Sequence, residues 1–369
     1  MRDPHSQMVA ARVSRPRRRF LVTAIVGLVP VSAQAAEYPE VIPGRPLSFP
    51  ADHGAHPAFR TEWWYVTGWV RTKDGRDLGI QITFFRSRPD IAVSGRSRFD
   101  PEQLLFAHAA LADPRHGRLR HDQVAARAGF GLAEAATTTT AVRIDRWSFV
   151  LDGSTYRARI QAADFEMTLA FAANAPIVRQ GDAGYSRKGP KPGQASYYYS
   201  RPHLAVSGSI RTGADAEAVT GSAWLDHEWS SEILDSAAVG WDWIGLNLED
   251  GSALMAFRIR DADGKPLWAG GTLARPDGTS RRFTEKEVQF VPGRLWTSPR
   301  TGARYPVAMR VDVPGLTVTL TPLLDDQELD SRASVGTVYW EGAVTATAEG
   351  RTVGRGYLEL TGYFRKLRL

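Results

Sequence analysis

The stretch TEWWYVTGWVRTKDGRDLGIQITFFR, residues 61–86, decides the fold. It opens on an acid and a tryptophan, Glu62-Trp63, runs on as a strand, turns at Asp74-Gly75 and returns as a strand ending at Arg86. In the returning arm Leu78, Ile80, Ile82 and Phe84 share one face, the period of two that a half-buried strand requires. Asp-Gly supplies the backbone freedom of a tight hairpin turn. The same order recurs in residues 242–258, DWIGLNLEDGSALMAFR. Here Asp242-Trp243 leads, Asp250-Gly251 turns, and Met255, Phe257 and Ile259 face one way with Arg258 and Arg260 opposite. The repeated pattern predicts two related β units with a junction around Ser230–Ala238. Further Asp-Gly turns at Asp152-Gly153, Asp263-Gly264 and Asp277-Gly278, with no long amphipathic helix, predict an all-β chain of antiparallel barrels or sandwiches.

The 369 residues suit two domains, and 43% hydrophobic residues against 23% charged predict packed cores. The formal net charge of +6 does not point to nucleic acid. Of 46 basic and 40 acidic side chains, the first 35 residues hold six and one, which leaves 40 against 39. That basic leader, Arg17-Arg18-Arg19 followed by an apolar Leu21–Val31 and by Ala33-Gln34-Ala35, reads as an export signal cleaved near Ala36. The arginines before Phe20-Leu21 fit a twin-arginine signal or an ordinary secretory one. A periplasmic or secreted protein is expected. With no cysteine, its core holds by burial alone, and thiolate chemistry is excluded.

Two aromatic blocks carry the candidate chemistry. In Thr61–Tyr65, Glu62 sits among Trp63, Trp64 and Tyr65; in Trp224–Trp229, Asp226, His227 and Glu228 sit between tryptophans; and Trp241-Asp242-Trp243 follows. A carboxylate among aromatic rings must be paired, hydrogen-bonded or protonated. As a strand, residues 226–229 place His227 and Trp229 on one face and Asp226 and Glu228 on the other. An inward His227 is an acid or base near neutral pH; an inward acid with a raised pKa is a proton donor. The alternative is an ion-pair network, with Arg86 or Arg258, plugging a barrel end.

His227-Glu228 is not a zinc-protease motif, because position 231 is Ser231. Asp52-His53-Gly54-Ala55-His56 lacks a clear third ligand and reads as a polar loop; His108 reads as a core histidine. No metal and no cofactor is expected, since no nucleotide-binding or serine-elbow motif is present. The irregular Gln180–Ser196 segment, ending in Tyr197-Tyr198-Tyr199, reads as a lid, a pocket rim or a solvated excursion.

These blocks resemble the secreted AttH-like family, related to the carotenoid 1,2-hydratases. The matching stretches include Asp52–His56, Thr61–Trp69, Ile82–Arg86, Ala107–Asp113, Gln180–Gly189, Tyr197–Pro202, Gly221–Glu232, Gly240–Gly251, Tyr339–Gly342 and Gly354–Tyr363. The resemblance implies two tandem lipocalin-like β-barrels, here residues 45–232 and 233–369 after a leader of 1–35. It also implies an apolar ligand, lipid or isoprenoid-like. The hydratases' His-x-Trp element is matched by His227 and Trp229, while the tyrosine and aspartate they use farther along have no match in Ser252–Arg258. The expected catalytic residues are Glu62, His227, Glu228 and Asp242. The expected ligand-binding residues are Trp63, Trp64, Tyr65, Tyr199, Trp229, Trp241 and Trp243. Three functions remain open: a carrier of apolar molecules, in which an ABC transporter or other inner-membrane protein is the partner; a hydratase of an isoprenoid double bond; and a hydrolase, for which no nucleophile is visible.

Overall fold

The structure is a computed structural model that describes residues 37–90, 102–232 and 234–367. The leader with its Ala33-Gln34-Ala35 site lies outside the described residues, as does Ile233, the expected start of the second barrel.

The 61–86 stretch folds as read. Strands β1 (Thr61–Thr72) and β2 (Asp77–Ser87) form an antiparallel hairpin, followed by β3 (Leu104–Ala112) and β4 (Leu119–Arg127). The Ala216–Glu232 strand pairs with the free edge of β1, and the Ala195–Arg211 strand lies beyond it. Thirteen strands of the described residues join this antiparallel sheet, which curls until the Ala141–Ile144 strand meets β3 and β4. Inside lie Trp64, Val66, Ile80, Ile82, Phe84, Phe149 and Phe171.

The second unit repeats the scheme. The Gly240–Leu248 and Ala253–Arg260 strands form its opening hairpin, and the Arg351–Leu360 strand pairs with Gly240–Leu248 as Ala216–Glu232 pairs with β1. Ten strands make this sheet around Ile244, Leu254, Tyr305, Val311 and Trp340. The internal repeat is therefore structural: cross-strand neighbours Glu62 and Arg86 in one hairpin correspond to Asp242 and Arg258 in the other. The chain is all-β, two antiparallel barrel-like sheets in tandem; the only described helix is the 3-10 turn Ala51–His53.

The outer faces of the two hairpin regions pack on each other. Tyr65, Trp69, Tyr198, Trp224, Trp243, Met255, Phe257 and Tyr357 form a third apolar cluster between the sheets. This explains why β1 is buried almost without alternation, since both its faces are covered. The Trp69 indole donates to the Gly356 carbonyl at 2.9 Å. At Gly79 a Cβ would stand 2.6 Å from that of Ala343 and 2.7 Å from the Tyr357 hydroxyl, so the sheets touch there only because the side chain is a hydrogen. Each large aromatic buried in the seam contributes roughly 1.5–3 kcal/mol.

Candidate functional site

Period-two alternation separates the residues of the two aromatic blocks into different environments. His227 and Trp229 point into the end of the first barrel, and Asp226 and Glu228 point into the seam.

At the barrel end, His227 is fully buried. Its Nε2 lies 2.9 Å from Glu62 Oε1 and its Nδ1 lies 3.1 Å from the Tyr199 hydroxyl. Arg86 Nε donates to the other Glu62 oxygen at 2.7 Å, and His56 Nδ1 lies 2.7 Å from Oε1. His56 reaches Asp52 at 3.1 Å and stacks on Trp229 at 3.7 Å, while Trp64 stacks on His227 at 4.7 Å. Burial works against the Glu62 charge, but His227 and His56 outweigh it and hold the carboxyl well below its ordinary range. Burial likewise opposes charge on His56, and there Asp52 and Glu62 prevail and raise its pKa. Burial keeps His227 below its ordinary value despite Glu62. The network therefore reads as His56 cationic, Glu62 anionic and His227 neutral. The polar Asp52–His56 segment packs onto this network, which is why its Asp52 and His53 are buried.

The ligand atoms of His56, Glu62 and His227 lie within 4.8 Å of one another, the one such group among the described residues. The Glu62 carboxylate is already neutralised by Arg86, which makes the group a hydrogen-bonded cap. The equivalent end of the second sheet is simpler. Asp242 accepts from Arg258 at 2.6 Å, from Arg260 at 3.0 Å and from the Tyr363 hydroxyl at 3.0 Å.

The large cavity, about 590 Å³, lies in the seam between the sheets. Of the expected site residues, Glu228, Trp63, Tyr65, Trp241 and Trp243 line it. Glu62, Trp64, Tyr199, His227, Trp229 and Asp242 are not among its lining residues: the first five form the barrel-end cap and Asp242 forms the second-sheet end.

The cavity also holds groups the sequence reading passed over. Glu341 and Glu359 stand directly opposite each other in the ladder between the Thr337–Ala348 and Arg351–Leu360 strands, and both line it. The Tyr65 hydroxyl donates to Glu341 Oε1, and Oε2 has no hydrogen-bond partner among the described residues. Burial, reinforced by Glu359, pushes the Glu341 carboxyl well above its ordinary value. Burial pushes Glu359 up to about 7, opposed by the Trp241 indole, which donates to Glu359 Oε2 at 2.9 Å. Asp226 is likewise pushed by burial up to about 7, although Trp224 at 2.7 Å, Tyr198 at 2.7 Å and Ser200 at 2.5 Å all donate to it.

Lys188 reaches the cavity from the long Gln180–Ser196 segment, which forms part of its wall. Its Nζ lies 2.9 Å from Glu228 and over the rings of Phe257 at 4.2 Å and Tyr198 at 4.7 Å. The same segment is braced from Arg187, whose guanidinium lies 4.4 Å over the Trp268 ring. His108 is a buried histidine as read, satisfied by Tyr339 at 2.9 Å and Ser334 at 2.8 Å, and it too borders the cavity.

A signal for the missed pair was present. Tyr339-Trp340-Glu341 and Tyr357-Leu358-Glu359 are acids among large apolar side chains, the same pattern that singled out Glu62.

The match to known proteins extends over both sheets. The AttH-like family model matches residues 40–363. The chain belongs to the AttH-like family. The crystal structure of an AttH protein from Nitrosomonas europaea is 54% identical, with a TM-score of 0.83, over 88% of this chain and 99% of that one. Kievitone hydratase from Nectria haematococca shares the fold at 13% identity and a TM-score of 0.67, over 88% of this chain and 96% of that one. CghA, solved with Sch210972, shares it at 13% identity and a TM-score of 0.50, over 82% and 89%. No curated protein matches the AttH-like chain by sequence.

Proposed function

We propose that the seam cavity binds an elongated apolar, unsaturated molecule and catalyses the addition or removal of water at one of its double bonds. The observation that carries this reading is Glu341: a buried carboxyl, raised well above its ordinary pKa, with one oxygen held by Tyr65 and the other unpartnered in an aromatic cavity. A neutral carboxylic acid in such a place is a proton donor at neutral pH.

In the forward direction Glu341 gives its proton to one alkene carbon, and the pair of π electrons forms the new C–H bond. The positive charge left on the neighbouring carbon is stabilised by ring faces such as those of Trp63 and Trp243. Water adds there, and its surplus proton passes to Glu359, the carboxyl opposite the donor, which burial brings up to about 7, a suitable value for a base at neutral pH. Transfer from Glu359 back to Glu341 restores the starting state. The fold likeness to kievitone hydratase, a hydratase by name, is consistent with this chemistry.

A hydrolase reading has less support. The buried serines behind the wall acids, Ser196 and Ser200, donate to Glu228 and Asp226, and among the described residues no imidazole is a hydrogen-bond partner of either. Binding without turnover, as in a carrier serving a transporter, needs only the aromatic walls. We propose export of the chain on the strength of its leader sequence alone.

The test is incubation of the purified protein with linear isoprenoid alkenes in heavy-oxygen water, followed by mass spectrometry. Enzyme-dependent incorporation that disappears in Glu341→Gln supports the reading. Tight binding of the same alkenes without incorporation replaces it with the carrier.

A further inference from the structure

The charges facing the seam cavity are unbalanced. Asp226 and Glu228 on one wall and Glu341 and Glu359 on the other face an interior with, among the described residues, a single amine, that of Lys188. Arg60, Glu232 and Lys366 are at the exposed rim, beside the partly buried Asp235, and together add no net charge. His108, the remaining titratable base of the wall, is held neutral by burial, which lowers its pKa to about 3.

The chain itself shows what the cavity accommodates at one end. The Lys188 ammonium rests 4.2 Å from the Phe257 ring centroid and 4.7 Å from that of Tyr198, with the Glu228 carboxylate at 2.9 Å. An ammonium against ring faces and a carboxylate is the arrangement by which proteins hold organic cations. The Glu341–Glu359 end repeats the chemistry without the cation. Two carboxyls stand directly opposite in the ladder, Tyr65 and Trp241 are hydrogen-bonded to them, Glu341 lines the cavity, and its Oε2 is buried with no hydrogen-bond partner among the described residues. Like charges directly opposite are unfavourable, so the pair is favoured when one member holds a proton or a cation lies beside it.

We infer that the Glu341–Glu359 end of the cavity takes the ammonium head of a cationic amphiphile, whose tail lies against the aromatic walls. A cation there takes the place of the proton that Glu341 gives in the proposed turnover, so a ligand bound this way competes with the alkene and is not itself hydrated, and an anionic ligand meets an excess of carboxyl groups. This inference rests on the reading of the seam cavity as the ligand site, and it is independent of whether any water-adding turnover occurs.

The experiment compares three probes with the same tail, dodecyltrimethylammonium, dodecanol and dodecanoate, below their aggregation limits. The readout is quenching of the tryptophan fluorescence of the full chain. The expected order is ammonium first, about tenfold or more tighter than the alcohol, and dodecanoate last. In the Glu341→Gln/Glu359→Gln double variant the ammonium preference is expected to vanish while dodecanol binding persists. Glu359→Gln alone is expected to reduce it partially. Melting curves establish that the variants fold, as expected when two like-charge neighbours are neutralised. Equal or tighter binding of dodecanol or dodecanoate, a preference surviving in the double variant, or no binding of any probe overturns the inference. Failure of hydration with retained ammonium selectivity removes the enzymatic reading and leaves this one standing.

Discussion

The Glu62 network and the Glu341–Glu359 pair begin from the same sequence feature, an acid among large aromatic side chains, and end in opposite electrostatic states. Glu62 is enclosed by Arg86 at 2.7 Å and by two histidines, so its charge is compensated. Glu341 has a tyrosine hydroxyl on one oxygen, no hydrogen-bond partner among the described residues on the other, and a second carboxyl opposite. Burial penalises both charges; the cation decides which one survives. A charge compensated on every side works as a fastening. A carboxyl left neutral in a cavity wall has a proton to give. Aromatic burial of an acid therefore marks both kinds of place, and only the partners separate them.

The largest expected difference between the two regions is in stability. Arg86→Met leaves Glu62 buried without its permanent cation, and a loss of roughly 3–5 kcal/mol in denaturant unfolding is expected. Glu341→Gln keeps the shape and removes a strained carboxyl, so its unfolding free energy should be unchanged or higher. Equal losses in the two variants would erase the contrast drawn here.

Opposite pH dependences come next. Glu62 has a depressed folded pKa, so its stabilisation is present above the ordinary value of 4.5 and is lost as pH falls through and below it. Glu359 is raised from 4.5 to about 7, and Asp226 from 3.8 to about 7. The folded chain keeps protons on these two that the unfolded chain releases, so they cost stability as pH rises from about 4 to 7. For Glu359 the span corresponds to at most about 3 kcal/mol. Glu359→Gln should flatten the decline in melting temperature between pH 4.5 and 7. A decline of the same size in that variant would refute its assignment to Glu359.

Packing of the seam gives a third, smaller effect. In Gly79→Ala the new methyl meets Ala343 and Tyr357 well inside contact distance, and a cost of about 1–3 kcal/mol is expected. Calorimetry of Gly213→Ala, at an open position without a positive φ, separates this contact cost from the general cost of replacing glycine.

The hairpin that opens each sheet was legible because strand alternation and Asp-Gly turns are local properties, and 61–86 and 242–258 state them twice. The split of residues 226–229 into two faces was also legible, for the same reason. What the sequence did not disclose is which face meets empty space. Both faces of Trp64–Val70 are buried, so alternation there cannot distinguish a barrel interior from a seam between barrels. The Glu341–Glu359 juxtaposition depends on the register between two strands, and Lys188 arrives from a loop more than thirty residues before its partner Glu228. Long-range register and loop placement are set by packing of the whole chain, and no short motif carries them.

The smallest prediction concerns the one hydrogen bond that separates the two oxygens of Glu341. The Tyr65 hydroxyl donates to Oε1 from the opposite sheet, and this bond favours the ionised carboxylate against burial. Tyr65→Phe removes it without altering the ring that fills the seam. A loss of about 1 kcal/mol or less is expected, because a neutral Glu341 gives up little when one donor goes. The carboxyl should then hold its proton to still higher pH. If Glu341 is the proton donor, the alkaline limb of the pH–rate profile moves upward, since the reactive protonated form persists further. A fastening would respond otherwise: stability would fall by several kcal/mol and the limb would stay in place. Measuring both quantities on this single variant asks of Glu341 the question that Arg86→Met asks of Glu62.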